Sequence, residues 1–318
     1  MKAIVIGSNG QDGTFLVRHL LQRHYEVAGV GRQPQSRWDI SSSKFSYYQV
    51  DLEVQGVLST VLSEYRPDVI FHVAAVHTSA GGQYEPHFRA MMTVNVASVH
   101  DVLEYMRLHP QVRLCYASSA KVFGSVLPPH IDENTSVKSE CLYSISKNSA
   151  FNVIDYYRKT HHAQASVLYF FNHESELRAE SFFIPKMLNI LNQSRKDSHF
   201  VAKVNTLDFY CDWGSAEEYM DIMIDVIEKT PGEDYVLGRG ECTYAQKLVE
   251  ELFALHGLDY TKHLQQSMSN KIPARPYIVD MRKLKRMIGR VPEVTIKSLC
   301  IWTLDRIACK KPHAILSK

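Results

Sequence analysis

The chain has 318 residues, 45% of them hydrophobic, enough for one large core or for one domain with a smaller attachment. Lys+Arg 36 against Asp+Glu 34 leaves a formal net charge of +2, without the basic footprint of a nucleic-acid or membrane-surface binder. Six cysteines, at 115, 141, 211, 242, 300 and 309, form no CxxC pair, which favours reduced thiols in a cytoplasmic protein over disulfides or a metal centre.

Lys2–Ile6 reads as a buried strand. Its apolar run ends at Gly7, too short for a signal-peptide core, and no later run has the length of a membrane helix. Residues 14–24 predict a helix with Phe15, Leu16, His19 and Leu20 on one face. Strands follow at Glu26–Gly31, 47–50 and 68–73, with a loop rich in Gln, Ser, Pro and Arg over 32–44. A long helix is expected over 88–108, a fifth strand over 113–117, a helix over 143–160 and a sixth strand over Gln164–Phe170. Continuous apolar strands separated by helices predict an α/β fold: a doubly wound parallel sheet of Rossmann type, covered on both faces.

After Asn172 the rhythm changes. Helices are expected over 181–192, 215–229, 244–256 and 296–308, with short strands at 200–204 and Tyr235–Leu237. The expected division is a dinucleotide-binding domain over 1–172 and a smaller mixed α/β substrate domain over 173–318, some of whose segments return to the sheet. Residues 310–318 read as a loose polar tail.

Gly7, Gly10 and Gly13 form a G-x-x-G-x-x-G turn between the first strand and helix, with Asn9, Gln11 and Asp12 between them. Such a turn lets the backbone approach a pyrophosphate at the helix N-terminus. The second strand ends Val30-Gly31-Arg32, with Arg37 close behind, where an NAD site places an acid. A guanidinium there can pair a 2′-phosphate, so NADP is expected over NAD. Asp51 and Leu52 after the third strand are placed at the adenine, and Ala74 and Ala75 after the fourth line the cofactor with little bulk.

Tyr143 and Lys147 stand four apart on one helix face, and Ser119 follows the fifth strand. A free phenol is a poor base at neutral pH. The Lys147 charge, with that of an oxidised nicotinamide, is expected to lower the Tyr143 pKa, while Ser119 holds the same substrate hydroxyl.

These residues resemble the extended short-chain dehydrogenase/reductase family, and most of all its GDP-mannose 4,6-dehydratase branch. The match is carried by GSNGQDGTFL at the start, by Phe171-NHES-Ser175 with Arg178, Glu180 and Phe182, by Asp212-Trp213-Gly214 with Ala216 and Tyr219, by DYVL at 234–237 and by Arg275-Pro276. The resemblance implies a nucleotide diphosphate sugar of GDP-hexose type as substrate. It implies that Asn172, Lys186 and Arg275 contact the nucleotide diphosphate, that His173 and Glu174 line the nicotinamide end, and that Arg178 approaches the cofactor phosphates. It further implies a homodimer built on the helices at 88–108 and 143–160, or a homotetramer in which the 32–43 loop reaches a neighbour.

Three departures stand against the pattern. The branch carries Thr-x-Glu where this chain has Ser119-Ala120-Lys121, so the elimination base is reversed in charge. Cys211 stands where an arginine precedes the Asp-Trp-Gly segment, and Cys141-Leu142 where relatives often have Ser-Pro. Three readings stay open: a 4,6-dehydratase in which Lys121 is the altered base, a 4-oxidoreductase, 4-keto reductase or 4-epimerase that needs no Glu, and an inactive cofactor-binding paralogue.

Overall fold

The structure, a computed structural model, describes residues 1–37, 42–78, 82–267 and 275–309, with side chains up to 305. Part of the expected 32–44 loop, at 38–41, and the tail at 310–318 lie outside the described residues. β1 (Lys2–Ile6) leads through a glycine turn into α1 (Gln11–Gln22), then β2 (Glu26–Gly31), β3 (Phe45–Gln49), α2 (Val57–Tyr65) and β4 (Val69–His72). A continuous helical stretch follows: α3 (Phe88–Met92), a π turn at Thr93–Ala97 and α4 (Ser98–Leu108). β5 (Arg113–Ser119), a short β6 (His130–Ile131), α5 (Leu142–His161) and β7 (Gln164–Phe170) complete this part.

Seven parallel strands form the main sheet, and all but the edge strand β3 are runs buried on both faces that need helices above and below. Strand order is β11 (Tyr235–Leu237), β7, β5, β4, β1, β2, β3. The order reverses between β1 and β4, so their carboxyl ends open a crevice flanked by Gly7 and Ala74. β3 starts two residues earlier than the apolar run suggests. It is the edge strand, with Phe45, Tyr47 and Tyr48 half-buried and Ser46 and Gln49 exposed, and pairs with β2 from Val27–Phe45 onward.

Two further helices were not expected. α2 buries Leu58, Val61, Leu62 and Tyr65, an i, i+3, i+4, i+7 stripe interrupted on its outer face by Ser59, Thr60 and Ser63. α9 (Arg282–Ile288) buries Leu284 and Ile288 beneath a basic face.

Beyond β8 (Asn172–Glu174), α6 (Phe183–Ser194), β9 (Ala202–Val204) and β10 (Tyr210–Ser215) lead to α7 (Ala216–Lys229), then β11, β12 (Cys242–Tyr244), α8 (Ala245–Ala254), β13 (Leu264–Gln266), β14 (Ile278–Val279), α9 and α10 (Ile296–Cys309). α7 and β11 join the main core through residues such as Tyr219, Met223 and Val236. α6, α8 and α10 enclose a second apolar cluster around Trp213, Leu188, Leu252 and Cys300. The strand β8, beside β10, stands where the two clusters meet, and it carries Asn172, His173 and Glu174.

Candidate active site

The crevice is built by close approach. Gly7 has φ +98°, and a Cβ there would lie 2.7 Å from the Ala74 nitrogen. A Cβ on Gly13 would lie 2.2 Å from the Gly7 carbonyl oxygen, so helix and strand could not pack this closely with any larger residue. Gly10 differs: a Cβ would meet only the Gly7 oxygen, at 3.4 Å, and the residue faces outward. No side chain caps α1 at Gly10, so its first-turn N–H groups face the crevice. With Ala74 and the exposed Ala75 across from it, this turn fits the pyrophosphate of a dinucleotide.

Several residues expected to touch the cofactor also bond within the protein. Asp12 accepts from the His173 imidazole Nε2 at 3.1 and 3.2 Å, and His173 Nδ1 meets the Phe171 carbonyl at 2.8 Å. Burial opposes the Asp12 charge, yet the facing histidine and Gln11 outweigh it and hold the carboxyl down at about 2. Burial likewise works against the His173 cation, and Asp12 overrides it and raises that pKa. Gln11 accepts from the Ser175 hydroxyl at 2.8 Å. Arg178 lies with its guanidinium carbon 3.7 Å from the Phe182 ring centre and its Nε 3.8 Å from Glu174, whose carboxyl burial pushes up to about 7. Asp51 is exposed and accepts the Glu53 N–H at 3.0 Å, capping its own turn, with Leu52 half-buried behind it.

Arg32 is exposed at the end of β2, and no acid follows that strand. A cavity of about 500 Å³ opens beside it, lined by Asn9, Gln33, Pro34, Gln35, Ser36 and Arg37. A second cavity of about 240 Å³, lined among others by Phe15, His19, Glu217 and Trp302, holds none of the expected site residues.

Ser119, Tyr143 and Lys147 are brought together. β5 runs two residues further than expected and ends at Ser119, whose hydroxyl lies close enough to the Tyr143 phenol to favour its ionised form. Tyr143 is 7% exposed and Lys147 1%. The Lys147 ammonium donates to the Ala117 carbonyl at 2.8 Å and lies 4.7 Å from the Tyr116 ring centre and 5.8 Å from that of Tyr143. The lowered phenol pKa was expected from Lys147 together with an oxidised nicotinamide; the chain by itself holds the phenol the other way. Burial raises it well above its ordinary value, and the neighbouring Ser119 hydroxyl offsets this only in part. Burial also lowers Lys147, to about 7, because no carboxylate touches it and Asp12 acts only from a distance. With no other charge present the pair favours the neutral forms.

The aromatic wall around Tyr143 was not visible in the sequence. His77 packs edge to face on the phenol at 4.3 Å between ring centres, Tyr84 stacks at 6.2 Å, and Phe182 stacks on His77 at 6.0 Å. Burial, then the charges of Lys121, Arg178 and Lys147, lower His77 to about 3, so its imidazole is neutral. Asn95, inside the π turn, holds the chain before His77 by accepting from the Val76 N–H at 2.8 Å and donating to the Val76 carbonyl at 3.2 Å. The π turn at Thr93–Ala97, itself seen only in the structure, fits such a place, since π turns gather at functional sites.

Lys121 is exposed on the 3-10 turn Ala120–Phe123 that follows Ser119. Asn172, Lys186 and Arg275 are all exposed, and their side chains make no hydrogen bond or ion pair with another described residue. The structure therefore does not gather them into a formed pocket. Cys211 is buried on β10, and burial pushes its thiol up.

A parallel sheet with its glycine turn at the switch point and a Ser-Tyr-Lys set at the end of β5 defines an extended short-chain dehydrogenase/reductase. A family model described as GDP-mannose 4,6 dehydratase matches residues 4–301, and the chain belongs to that family. It is 24% identical to a GDP-mannose 4,6-dehydratase of Vibrio cholerae, over 99% of this chain and 96% of the relative. In fold it is similar to dTDP-glucose 4,6-dehydratase of Bacillus anthracis in complex with NAD, with TM-score 0.83, 20% identity and 98% and 97% of the two chains covered. It is likewise similar to RMD of Pseudomonas aeruginosa complexed with NADPH, with TM-score 0.77, 19% identity and 96% and 98% covered. Among the described residues no helix is long and apolar enough to cross a membrane, and no group of three His, Cys, Asp or Glu could hold a metal ion.

Proposed function

We propose that the chain is an NADP-dependent enzyme acting at C4 of a nucleotide diphosphate hexose, of GDP-hexose type, through a 4-keto intermediate, in the manner of a GDP-mannose 4,6-dehydratase. The observation that carries this reading is the buried Tyr143 phenol beside Ser119, with the Lys147 ammonium one helical turn behind it. When bound, the dinucleotide supplies a hydride acceptor and, oxidised, a positive ring. Gly7, Gly10 and Gly13 would hold its pyrophosphate, and Arg32 and Arg37 its 2′-phosphate.

Tyr143 takes the proton of the C4 hydroxyl, and Ser119 fixes that hydroxyl by hydrogen bond. Lys147 shares its charge with the forming phenolate. Its hydrogen bond to the Ala117 carbonyl keeps the ammonium aimed along β5 rather than toward solvent. The aromatic wall of His77, Tyr84 and Phe182 excludes water while the phenol changes charge. Asn172, Lys186 and Arg275, exposed and without described ion partners, suit a nucleotide diphosphate that arrives with its own charge. The reading includes a homodimer or homotetramer, supported by Ile145 and Tyr156, exposed on α5, and a cytoplasmic setting.

A second reading is favoured by one residue. Lys121, exposed in the turn after Ser119, stands where the family's acid would remove the C5 proton. A charged lysine cannot do so, which favours C4 oxidoreduction, 4-keto reduction or epimerisation without loss of water. Incubation with GDP-mannose and NADP separates the readings by product mass. Loss of one water supports the dehydratase, and an isomer of unchanged mass supports epimerisation. No product from GDP-hexoses or their 4-keto derivatives would overturn both. In Lys121→Glu, dehydration should appear or rise; a fall would make Lys121 itself the base.

A further inference from the structure

We infer that Asn9 is the positioning residue for cofactor specificity, acting through the 33–37 loop rather than by touching the dinucleotide pyrophosphate. This rests on the NADP reading above. Asn9 lies in the glycine turn, in the middle of the phosphate cradle, and is 9% exposed. Its amide nitrogen has three acceptors in reach of its two hydrogens: Gln33 Oε1 at 3.1 Å, the Gln35 carbonyl at 3.2 Å and the Tyr47 hydroxyl at 3.2 Å. Its oxygen accepts the Arg37 backbone N–H at 2.9 Å. Tyr47 in turn donates its hydroxyl to the Gln33 carbonyl at 2.9 Å. Only this orientation of the amide matches all four partners, since a flipped amide would set its oxygen against the Gln35 carbonyl.

One side chain therefore ties the β1–α1 turn to three points of the loop that runs from Arg32 to Arg37, and Tyr47 locks the loop from β3. The segment is polar and exposed, with Gln33, Pro34 and Gln35 outside the core, so it has no apolar packing of its own to hold it. Gly31 fits the same arrangement: a Cβ there would lie 2.8 Å from the Tyr47 hydroxyl and 3.2 Å from Gln33 Oε1. These contacts give the cavity beside Asn9 its shape. A bidentate guanidinium contact to a phosphate depends on angle as well as distance, so the loop's geometry sets how well a 2′-phosphate is distinguished from a 2′-hydroxyl.

The test measures dissociation constants of NADPH and NADH for the full-length protein by nicotinamide fluorescence, in the wild type, Asn9→Ala and Tyr47→Phe. Adenosine 2′,5′-bisphosphate and 5′-AMP serve as competitors that probe the loop without the nicotinamide. The wild type should prefer NADPH, and Asn9→Ala should lower the NADPH-to-NADH preference by about tenfold or more, equivalent to one charged contact. Tyr47→Phe, which keeps Asn9 and the glycine turn and removes only the hydroxyl that bonds Asn9 and Gln33, should lower it by a smaller factor, and it decides the matter if Asn9→Ala does not fold. A wild type without preference for NADPH would overturn the cofactor reading. A preference that survives both substitutions, or an equal loss for both dinucleotides, would overturn the role of Asn9 alone.

Discussion

Two buried ionisable clusters lie close together in this molecule and respond to burial in opposite ways. At Asp12 and His173, acid and base face each other at 3.1 Å, and the pair holds its charges although burial opposes both. At Tyr143 and Lys147 there is no such partner. The phenol is pushed up, and the ammonium is pushed down to about 7. Burial with a partner fixes a charge; burial without one leaves a group that a new charge can switch. The first cluster ties α1 to β8 and so fastens the phosphate turn to the strand that carries Asn172. The second is suited to gain or lose a proton when a cofactor brings a positive ring.

Substitutions can break that contrast. The largest effect is expected for Tyr143→Phe, which removes the switchable proton: turnover should fall about 10²- to 10⁴-fold, while cofactor binding measured by fluorescence stays close to wild type. Retained turnover would remove Tyr143 from its role.

Lys147→Met should lower turnover at least about tenfold and yet stabilise the fold by about 1–4 kcal/mol below pH 7, where the wild type must keep an unpaired buried ammonium. Between pH about 7 and 10.5 the unfolded chain holds a proton on this lysine that the folded chain has released. Wild-type stability therefore rises across that window relative to the variant, and the variant's advantage shrinks. Urea denaturation at pH 6, 8 and 10 measures it, and an advantage that grows with pH would contradict the assignment.

At the paired cluster the sign reverses. Asp12→Asn should cost about 1–3 kcal/mol, because it leaves His173 buried without its counter-charge. The Asp12 contribution is fully present above its unfolded value of 3.8 and is lost as pH falls through about 2. That of His173 is present below 6.5 and is lost as pH rises through its raised folded value. The cost should therefore be greatest near pH 5 and smaller at pH 9 in the same urea measurement.

The smallest effect belongs to Glu174→Gln. Burial raises this carboxyl to about 7 from 4.5, so it folds largely protonated at pH 6 and a glutamine replaces it at a cost below about 1 kcal/mol. From pH 4.5 to 7 the wild type loses stability as the folded chain holds a proton the unfolded chain has given up. Thermal melts at pH 6 and 8 should show the variant gaining on the wild type at the higher pH.

How far the sequence carried the description follows from the range of each interaction. The glycine turn, the strand–helix alternation and the Tyr143–Lys147 spacing are local, and each was legible from neighbours in the chain. The apolar stripe of α2 was equally local and could have been read at Leu58, Val61, Leu62 and Tyr65, but hydroxyl residues and Gly56 masked it. What sequence could not supply was which distant residues meet. Tyr143 is covered by His77 and Tyr84 from the segment after β4, and Lys147 is bonded to Ala117 across 30 residues. Asn9 is bonded to a loop 24 to 28 residues further on. The burial that raises the phenol pKa in the chain by itself was hidden for the same reason. An i+4 spacing tells that two residues share a helix face, but not that both are sealed from water.

The account rests on the Tyr143 phenol meeting the reacting hydroxyl, and a crystal structure with NADP and GDP-mannose measures that directly. It should place the phenol oxygen within about 3 Å of the C4 hydroxyl, with Ser119 on the same oxygen and the nicotinamide facing C4. A sugar whose C4 hydroxyl bonds another side chain, with Tyr143 still sealed behind His77 and Tyr84, would contradict it.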